Sequence, residues 1–318
     1  MELISHPIFK EHDTGMHPEN KKRLDALGEL PVSDISFDES VLKIIHDEGY
    51  INMVKDYSKL SKSLDGDTHS SPKSYEAAVY AANATIKASE EQGFALVRPP
   101  GHHAYPNRAS GFCLFNNVSI AARRLANQGK RVLIFDFDGH LGDGTSAIFN
   151  DTDQVMYWSI HQFPAFPGHG SADEIGTDKG AGFTINVPLP PGSGDDIYAN
   201  AIKYTLPIAL EFNPDVVAVS AGFDAHQYDL LLDLRLTVDA FYNTGNILAD
   251  NFSNVFATLE GGYNVEELPK SIYNFRDGIS GNSKKYSELA TESAIQVWME
   301  YEMRLDKLLS NLTPYWSI

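Results

Sequence analysis

One cysteine, Cys113, is all that the 318 residues contain. That excludes an intrachain disulfide framework and a cysteine-rich zinc module. Basic residues are scarce too: 25 Lys+Arg stand against 43 Asp+Glu, a net charge of −18 at pH 7. A nucleic-acid backbone requires a dense basic face, so nucleic acid is not an expected partner. No apolar run approaches the roughly 18 residues of a membrane span. The opening residues Met1–His6 lack the basic-then-apolar pattern of a secretory signal. Internal repeats and low-complexity linkers are also missing. What is present, 42% apolar and 21% charged residues, is a globular mix. The expectation is a protein of a reducing compartment, the cytoplasm, with neither membrane nor nucleic acid among its partners.

Short β-branched runs alternate with longer helical patterns. The spacing predicts strands over 94–98, 131–138, 155–160, 184–188, 216–223 and 254–259. Runs such as Arg131–Phe137 are apolar almost throughout, as strands covered on both faces are. Helical patterns cover roughly 38–61, 73–92, 115–129, 195–213 and 238–252. Ser71-Pro72 reads as a capped start for the second of these. The expected fold class is α/β: a single domain over 1–318 with a central, mostly parallel sheet and helices on both faces. After Ser280–Lys284 a C-terminal helical extension is expected near 284–311.

In such sheets ligands bind beyond the carboxyl ends of the strands, and four clusters fall there. They are Pro99-Pro100-Gly101-His102-His103, Asp136-Phe137-Asp138-Gly139-His140 running on to Thr145, Gly222-Phe223-Asp224, and Glu260-Gly261-Gly262-Tyr263. Alternation along an extended segment puts Asp136, Asp138 and His140 on one face. One imidazole with two carboxylates is a donor set for zinc or another first-row divalent ion, and Asp138, His140 and Asp224 supply it. A competing reading takes Asp136-Phe137-Asp138-Gly139 as the opening motif of a haloacid-dehalogenase-type phosphatase. It expects Thr where His140 stands, and it leaves His102-His103 and Gly262-Tyr263 without a role.

The four clusters in this order resemble the histone deacetylase family, with its class II-like members and acetylpolyamine amidohydrolases. The likeness also takes in His17-Pro18-Glu19, Arg23-Leu24, Gly111-Phe112-Cys113, Asn116-Asn117, Phe166-Pro167-Gly168 and Asn186-Val187-Pro188. It implies an arginase-like fold and a zinc-dependent amidohydrolase acting on acyl-lysine or on acetylated polyamines. By that resemblance Asp138, His140 and Asp224 hold one catalytic Zn²⁺, and His103 is the general base. His102 is its electrostatic neighbour, Asp136 and Asp143 are the partners of His102 and His103, and Tyr263 donates to the oxyanion. Gly111, Phe112 and Phe166 line an acyl-lysine tunnel with Leu231 at its rim. Structural K⁺ ions are implied at the carbonyls of Asp136, Asp138, His140 and Ser159, and at Phe149, Thr152 and Val155.

Amide hydrolysis suits such residues. An imidazole works as a base near neutral pH, and a paired carboxylate fixes its tautomer. The sequence departs from the family at Leu141, where an imidazole is usual, so a hydrogen bond around the metal is expected to be lost. The apolar Leu231 points to lysine substrates, and the net charge pulls towards polyamines. A catalytically weak acyl-lysine binding protein and a two-metal ureohydrolase are the remaining alternatives. Cys113 is expected to pack rather than react, and His161, His169 and His226 to make hydrogen bonds in loops. His17 lies in a segment resembling a substrate-facing loop.

Overall fold

The computed structural model describes residues 1–318. Seven strands form one sheet: β1 (Leu3–Ile4), β2 (Phe94–Ala95), β3 (Val132–Asp136), β4 (Val155–Gln162), β5 (Thr184–Leu189), β6 (Val216–Ala221) and β7 (Val255–Leu259). Their order is β1-β2-β7-β6-β3-β4-β5, and every pairing is parallel. The five strands from β3 to β7 are buried at every residue, which accounts for their unbroken apolar runs. From β3 the chain builds outward through β4 and β5, then returns to lay β6 and β7 on the other side of β3. The strand order therefore reverses at β3–β6, and the crevice beyond those two strands is where such sheets hold ligands.

Nine helices accompany the sheet: α1 (Lys22–Asp25), α2 (Glu48–Lys59), α3 (Ser74–Glu91), α4 (Asn117–Ala126), α5 (Asp143–Phe149), α6 (Asp195–Phe212), α7 (Val238–Asn251), α8 (Leu268–Ile279) and α9 (Ile295–Leu312). The region expected as one helix over 38–61 is a 3₁₀ turn at Glu39–Ile44 followed by α2. Helix α3 starts later than Ser71: Lys73 occupies its N-cap, and Ser71 turns the chain by accepting from the Ser74 amide at 2.9 Å.

The strand expected over 94–98 keeps only two residues in the sheet. Beyond Ala95 the chain leaves the ladder, and Arg98 turns into a buried ion cluster instead. The helix expected near 284–311 begins only at Ile295. Upstream, side chains of other helices capture the amides a helix would have used. Asn274 accepts from Tyr286 at 3.0 Å, Asp239 from Glu288 at 2.7 Å and Asp195 from Thr291 at 3.3 Å. A side-chain acceptor offered this way competes with helical pairing. Helix α9 lies against β5 and α6, and Tyr301, Leu305, Leu308 and Leu312 join the common core. It closes the domain rather than extending it.

Candidate active site

Four chain segments meet at the carboxyl edge of the sheet. Asp138 and His140 follow β3, Asp224 follows β6, the Glu260–Tyr263 turn follows β7, and His102-His103 follow β2. The ligand atoms of Asp138, His140 and Asp224 all lie within 4.8 Å of one another, and all three residues are buried. His140 Nδ1 is 2.8 Å from Asp224 and 3.4 Å from Asp138. Backbone amides fix the carboxylates: Gly139 donates to Asp224 at 2.7 Å, and His140 and Gly261 donate to Asp138 at 2.9 and 2.8 Å. Glycine lets the chain come this close. A Cβ on Gly261 would stand 2.6 Å from oxygens of both Asp138 and Asp224, and one on Gly222 would collide with Asp138.

The charge balance of this trio calls for a cation. Burial and the Asp138 charge push Asp224 up to about 7. Burial opposes protonation of His140, yet the Asp224 and Asp138 carboxylates hold its pKa at about 10. Two carboxylates and one imidazole converging on one point fit zinc or a similar first-row divalent ion. A second group, His226, Glu267 and Glu288, also converges. Its atoms are already committed: Glu288 accepts from His226 at 2.9 Å and from the Val238 amide at 2.8 Å, while Lys270 pairs with Glu267 at 2.8 Å.

Beside the trio stand His102 and His103, ring centres 4.0 Å apart. His102 Nδ1 is 3.1 Å from Asp136, which also accepts from the Tyr157 hydroxyl at 2.9 Å. His103 Nδ1 is 2.7 Å from Asp143, which accepts from the Tyr105 hydroxyl at 2.9 Å. The two imidazoles are driven apart in charge. Burial disfavours a proton on His102, but Asp138, Asp136 and Glu260 together outweigh it and raise its pKa well above the usual value. Burial and the neighbouring His102 charge take His103 down to about 4, against the pull of Asp143. Their surroundings thus push the two rings in opposite directions, a division suited to electrostatic support and to proton abstraction.

A cavity of about 440 Å³ opens onto His103, His140 and Tyr263, between Phe112 and Phe166 and with Leu231 at its mouth. Gly111 and Phe112 form a two-residue turn closed by mutual bonds between Ser110 and Cys113. Both lie at positive φ, +50° and +69°, and for Phe112 that conformation costs roughly 1–2 kcal/mol. Its neighbours hold it there. The Phe112 amide donates to Thr68 Oγ1 at 3.3 Å, and the rings of His17 and Tyr263 pack edge-on at 4.4 and 5.8 Å. His17 therefore packs against Phe112, its Nε2 3.3 Å from Asp67. Phe166, 51% exposed, packs edge-on against His103 at 5.1 Å.

Tyr263 is buried, and burial raises its pKa well above the usual value, so the hydroxyl keeps its proton. Arg23 supports it. The guanidinium carbon lies 5.0 Å from the Tyr263 ring centre, and the side chain donates to the carbonyls of Gly262 (2.7 Å) and Glu260. Glu19, shared by Arg23 and Arg98, keeps its charge despite burial, held down to about 2 by the Arg98 guanidinium and assisted by Arg23.

Sequence reasoning assigned no role to Arg23, Tyr105, Tyr157 or Glu260, although Arg23 and Glu260 stand inside the motifs it used. Glu260 accepts from the amides of Gly101 (2.7 Å) and His102 (3.1 Å), which fastens the two-histidine turn to the tyrosine turn. Leu141, next to His140 in the chain, is buried in the apolar core. Cys113 is buried and donates to the Gly111 carbonyl. His161 belongs to strand β4, not to a loop, and bridges Ser159 Oγ (2.8 Å) and the Gly170 carbonyl (2.9 Å).

With this geometry in place, comparison with known proteins decides the family. The Histone deacetylase domain model matches residues 16–278. The chain belongs to the histone deacetylase family. It is 36% identical to a probable deacetylase of Methanothermobacter thermautotrophicus, covering 96% of this chain and 98% of that protein. Its identity to the histone deacetylase-like amidohydrolase of Pseudomonas aeruginosa is 35%, covering 79% of this chain and 73% of the other. Among solved structures, the HDA15 HD domain superposes with a TM-score of 0.88 at 30% identity, covering 99% and 98% of the two chains.

Proposed function

We propose that this member of the histone deacetylase family is a zinc-dependent deacetylase that removes acetyl groups from lysine side chains. The observation carrying the reading is the opposed pair His102–Asp136 and His103–Asp143, set beside the Asp138, His140 and Asp224 trio at the base of the tunnel. A divalent ion held by that trio would supply Lewis acidity, polarising the amide carbonyl and making a water easier to deprotonate. Neutral His103 takes the proton from the attacking water, with Asp143 holding the ring in the tautomer that leaves Nε2 free. The same imidazole then returns a proton to the leaving amine. Cationic His102 stabilises the negative charge gathering nearby, and the Tyr263 hydroxyl donates to the developing oxyanion. Phe112 and Phe166 enclose the alkyl stem of the substrate, at about 0.8 kcal/mol per buried CH₂.

Leu231, apolar and 38% exposed at the mouth, favours lysine over a free diamine. Asp65 and Asp67, which line the same cavity, favour a second reading, an acetylated polyamine whose cationic end they would attract. The structural potassium ions belong to the same proposal. Asp136 and Ser159 are register partners on β3 and β4, and Phe149, Thr152 and Val155 line the connection between α5 and β4.

Zinc-loaded protein assayed in parallel on an acetyl-lysine peptide and on acetylputrescine tests the reading. Turnover of the peptide, reduced on the order of 10²–10³-fold in Tyr263→Phe, is the expected result. Preference for the diamine would move the assignment to polyamines. Tight zinc binding with no turnover of either substrate would leave a binding protein in its place.

A further inference from the structure

Two loops frame the tunnel where the acyl-lysine stem would enter. One, residues 225–234, follows Asp224 and carries Leu231; the other follows β7 and carries Tyr263. Asp229 and Tyr263 are 34 residues apart in sequence, yet the Asp229 carboxylate serves both loops. Asp229 Oδ1 accepts the amides of Leu230 (2.7 Å) and Leu231 (3.3 Å), and Oδ2 accepts those of Tyr263 (2.6 Å) and Asn264 (3.1 Å). The loops are stitched a second time where Asn264 Nδ2 donates to the Tyr228 carbonyl at 2.7 Å. One rigid planar group thus holds four backbone amides, two on each loop.

The consequence is mechanical. Leu231 touches whatever occupies the mouth, and its amide is held by the carboxylate that also holds the amide of Tyr263. A substrate that seats the 230–231 segment in this position also holds Asp229, and with it the backbone from which the Tyr263 hydroxyl projects. One that displaces the segment loosens the same anchor. We propose that Asp229 is a positioning residue coupling the fit of a substrate at the Leu231 rim to the placement of the Tyr263 hydroxyl. Discrimination between substrates is then expressed in kcat as well as in KM. This rests on the reading of Tyr263 as oxyanion donor.

The test compares the full-length, zinc-loaded protein with Asp229→Ala and Asp229→Asn. The alanine variant removes all four acceptor contacts. The asparagine variant is close in size but presents an NH₂ group to one of the two amide pairs. By hydrogen-exchange mass spectrometry, Asp229→Ala is expected to speed exchange at least threefold in both segments, 230–231 and 263–264. Acceleration confined to one segment would overturn the coupling, and this readout needs no activity.

Kinetics on the acetyl-lysine peptide give the second arm. Asp229→Ala is expected to lower kcat about tenfold or more with zinc content unchanged, and to change kcat less than twofold when Tyr263 is already Phe. Leu231→Ala is expected to alter both kcat and KM in the otherwise native protein, and KM alone in the Asp229→Ala background. An equal fold-loss from Asp229→Ala with and without the tyrosine hydroxyl would mark Asp229 as merely structural and sink the proposal. A Tyr263→Phe protein with undiminished kcat would instead overturn the assignment of Tyr263, and the proposal with it. If Asp229→Ala does not fold, Asp229→Asn carries both arms, with the exchange gain required in the pair that loses its acceptor and the same non-additivity with Tyr263→Phe.

Discussion

At His103, the base of the proposed mechanism, the direction of the pKa shift sets the pH profile. A base works while unprotonated, so its contribution is present above its folded pKa and lost as pH falls through it, at about 4. Asp143 opposes the downward shift. Asp143→Asn is therefore expected to move the acid limb of kcat/KM to still lower pH while kcat falls about tenfold or more. A pH–rate profile of the variant checks this, and a limb that moved upward would assign the titration elsewhere. Arg23 makes a separate prediction. Arg23→Lys keeps the charge but loses the fork that reaches two carbonyls and Glu19 at once. It is expected to lower kcat about tenfold and to lower Tm by several degrees, measured by steady-state kinetics and thermal unfolding. The convergence of Asp138, His140 and Asp224 and the pairing of the two imidazoles with carboxylates were legible in the sequence because each falls in a short motif just past an apolar strand. Tyr105, Tyr157 and Asp229 were not, since no local pattern marks a side chain whose partner is assembled by tertiary structure. Tyr157 lies within an all-buried strand and reads as core.

At the scale of elements, legibility followed length and burial. Helices α3, α6 and α7 were readable to within a few residues because each has three or more turns of consistent pattern. Helix α5 was missed because it has seven residues and opens with Asp143-Gly144-Thr145, a composition that also describes a loop. Helix α8 was missed although Pro269 stands in its first turn. The late start of α9 is tertiary in origin, set by Asp195, Asp239 and Asn274, and no window on residues 284–294 contains those partners. Helix α9 also gives a clean pair of substitutions. Leu308 is fully buried and Met303 is 72% exposed, one turn and a half apart on the same helix. Leu308→Ala is expected to cost about 2–5 kcal/mol, and Met303→Ala to stay within about 0.5 kcal/mol. Urea unfolding of both variants checks the assignment of faces; similar losses would contradict it.

For the molecule as a whole, buried neutral histidines set acid stability. Burial takes His12, His46 and His161 each down to about 4. The unfolded chain then binds protons that the folded one refuses. The stability they protect is intact above about 6.5 and declines as pH falls towards 4. Glu260, raised by burial to about 7, works in the opposite sense, so single sites must be separated by substitution. His46 accepts the Asn116 amide on Nε2 at 2.9 Å and faces the Tyr105 carbonyl through Nδ1 at 3.1 Å, an arrangement that requires the neutral ring. His46→Phe is expected to lower stability at pH 7 and to flatten its decline between pH 6.5 and 4, read from urea unfolding across that window. The bond between Arg23 and the Gly262 carbonyl, 239 residues apart in sequence, bears on how the molecule is made. While the chain is being synthesised, the arginine leaves the ribosome long before the turn it must grip exists. Its two carbonyl partners, at Glu260 and Gly262, are made only after the last strand, β7. Such distant closures are slow to find. Assembly of the site is therefore a late event in the birth of the protein, and a nascent chain released before β7 carries Asp138 and Asp224 without the Glu260–Tyr263 turn that completes it.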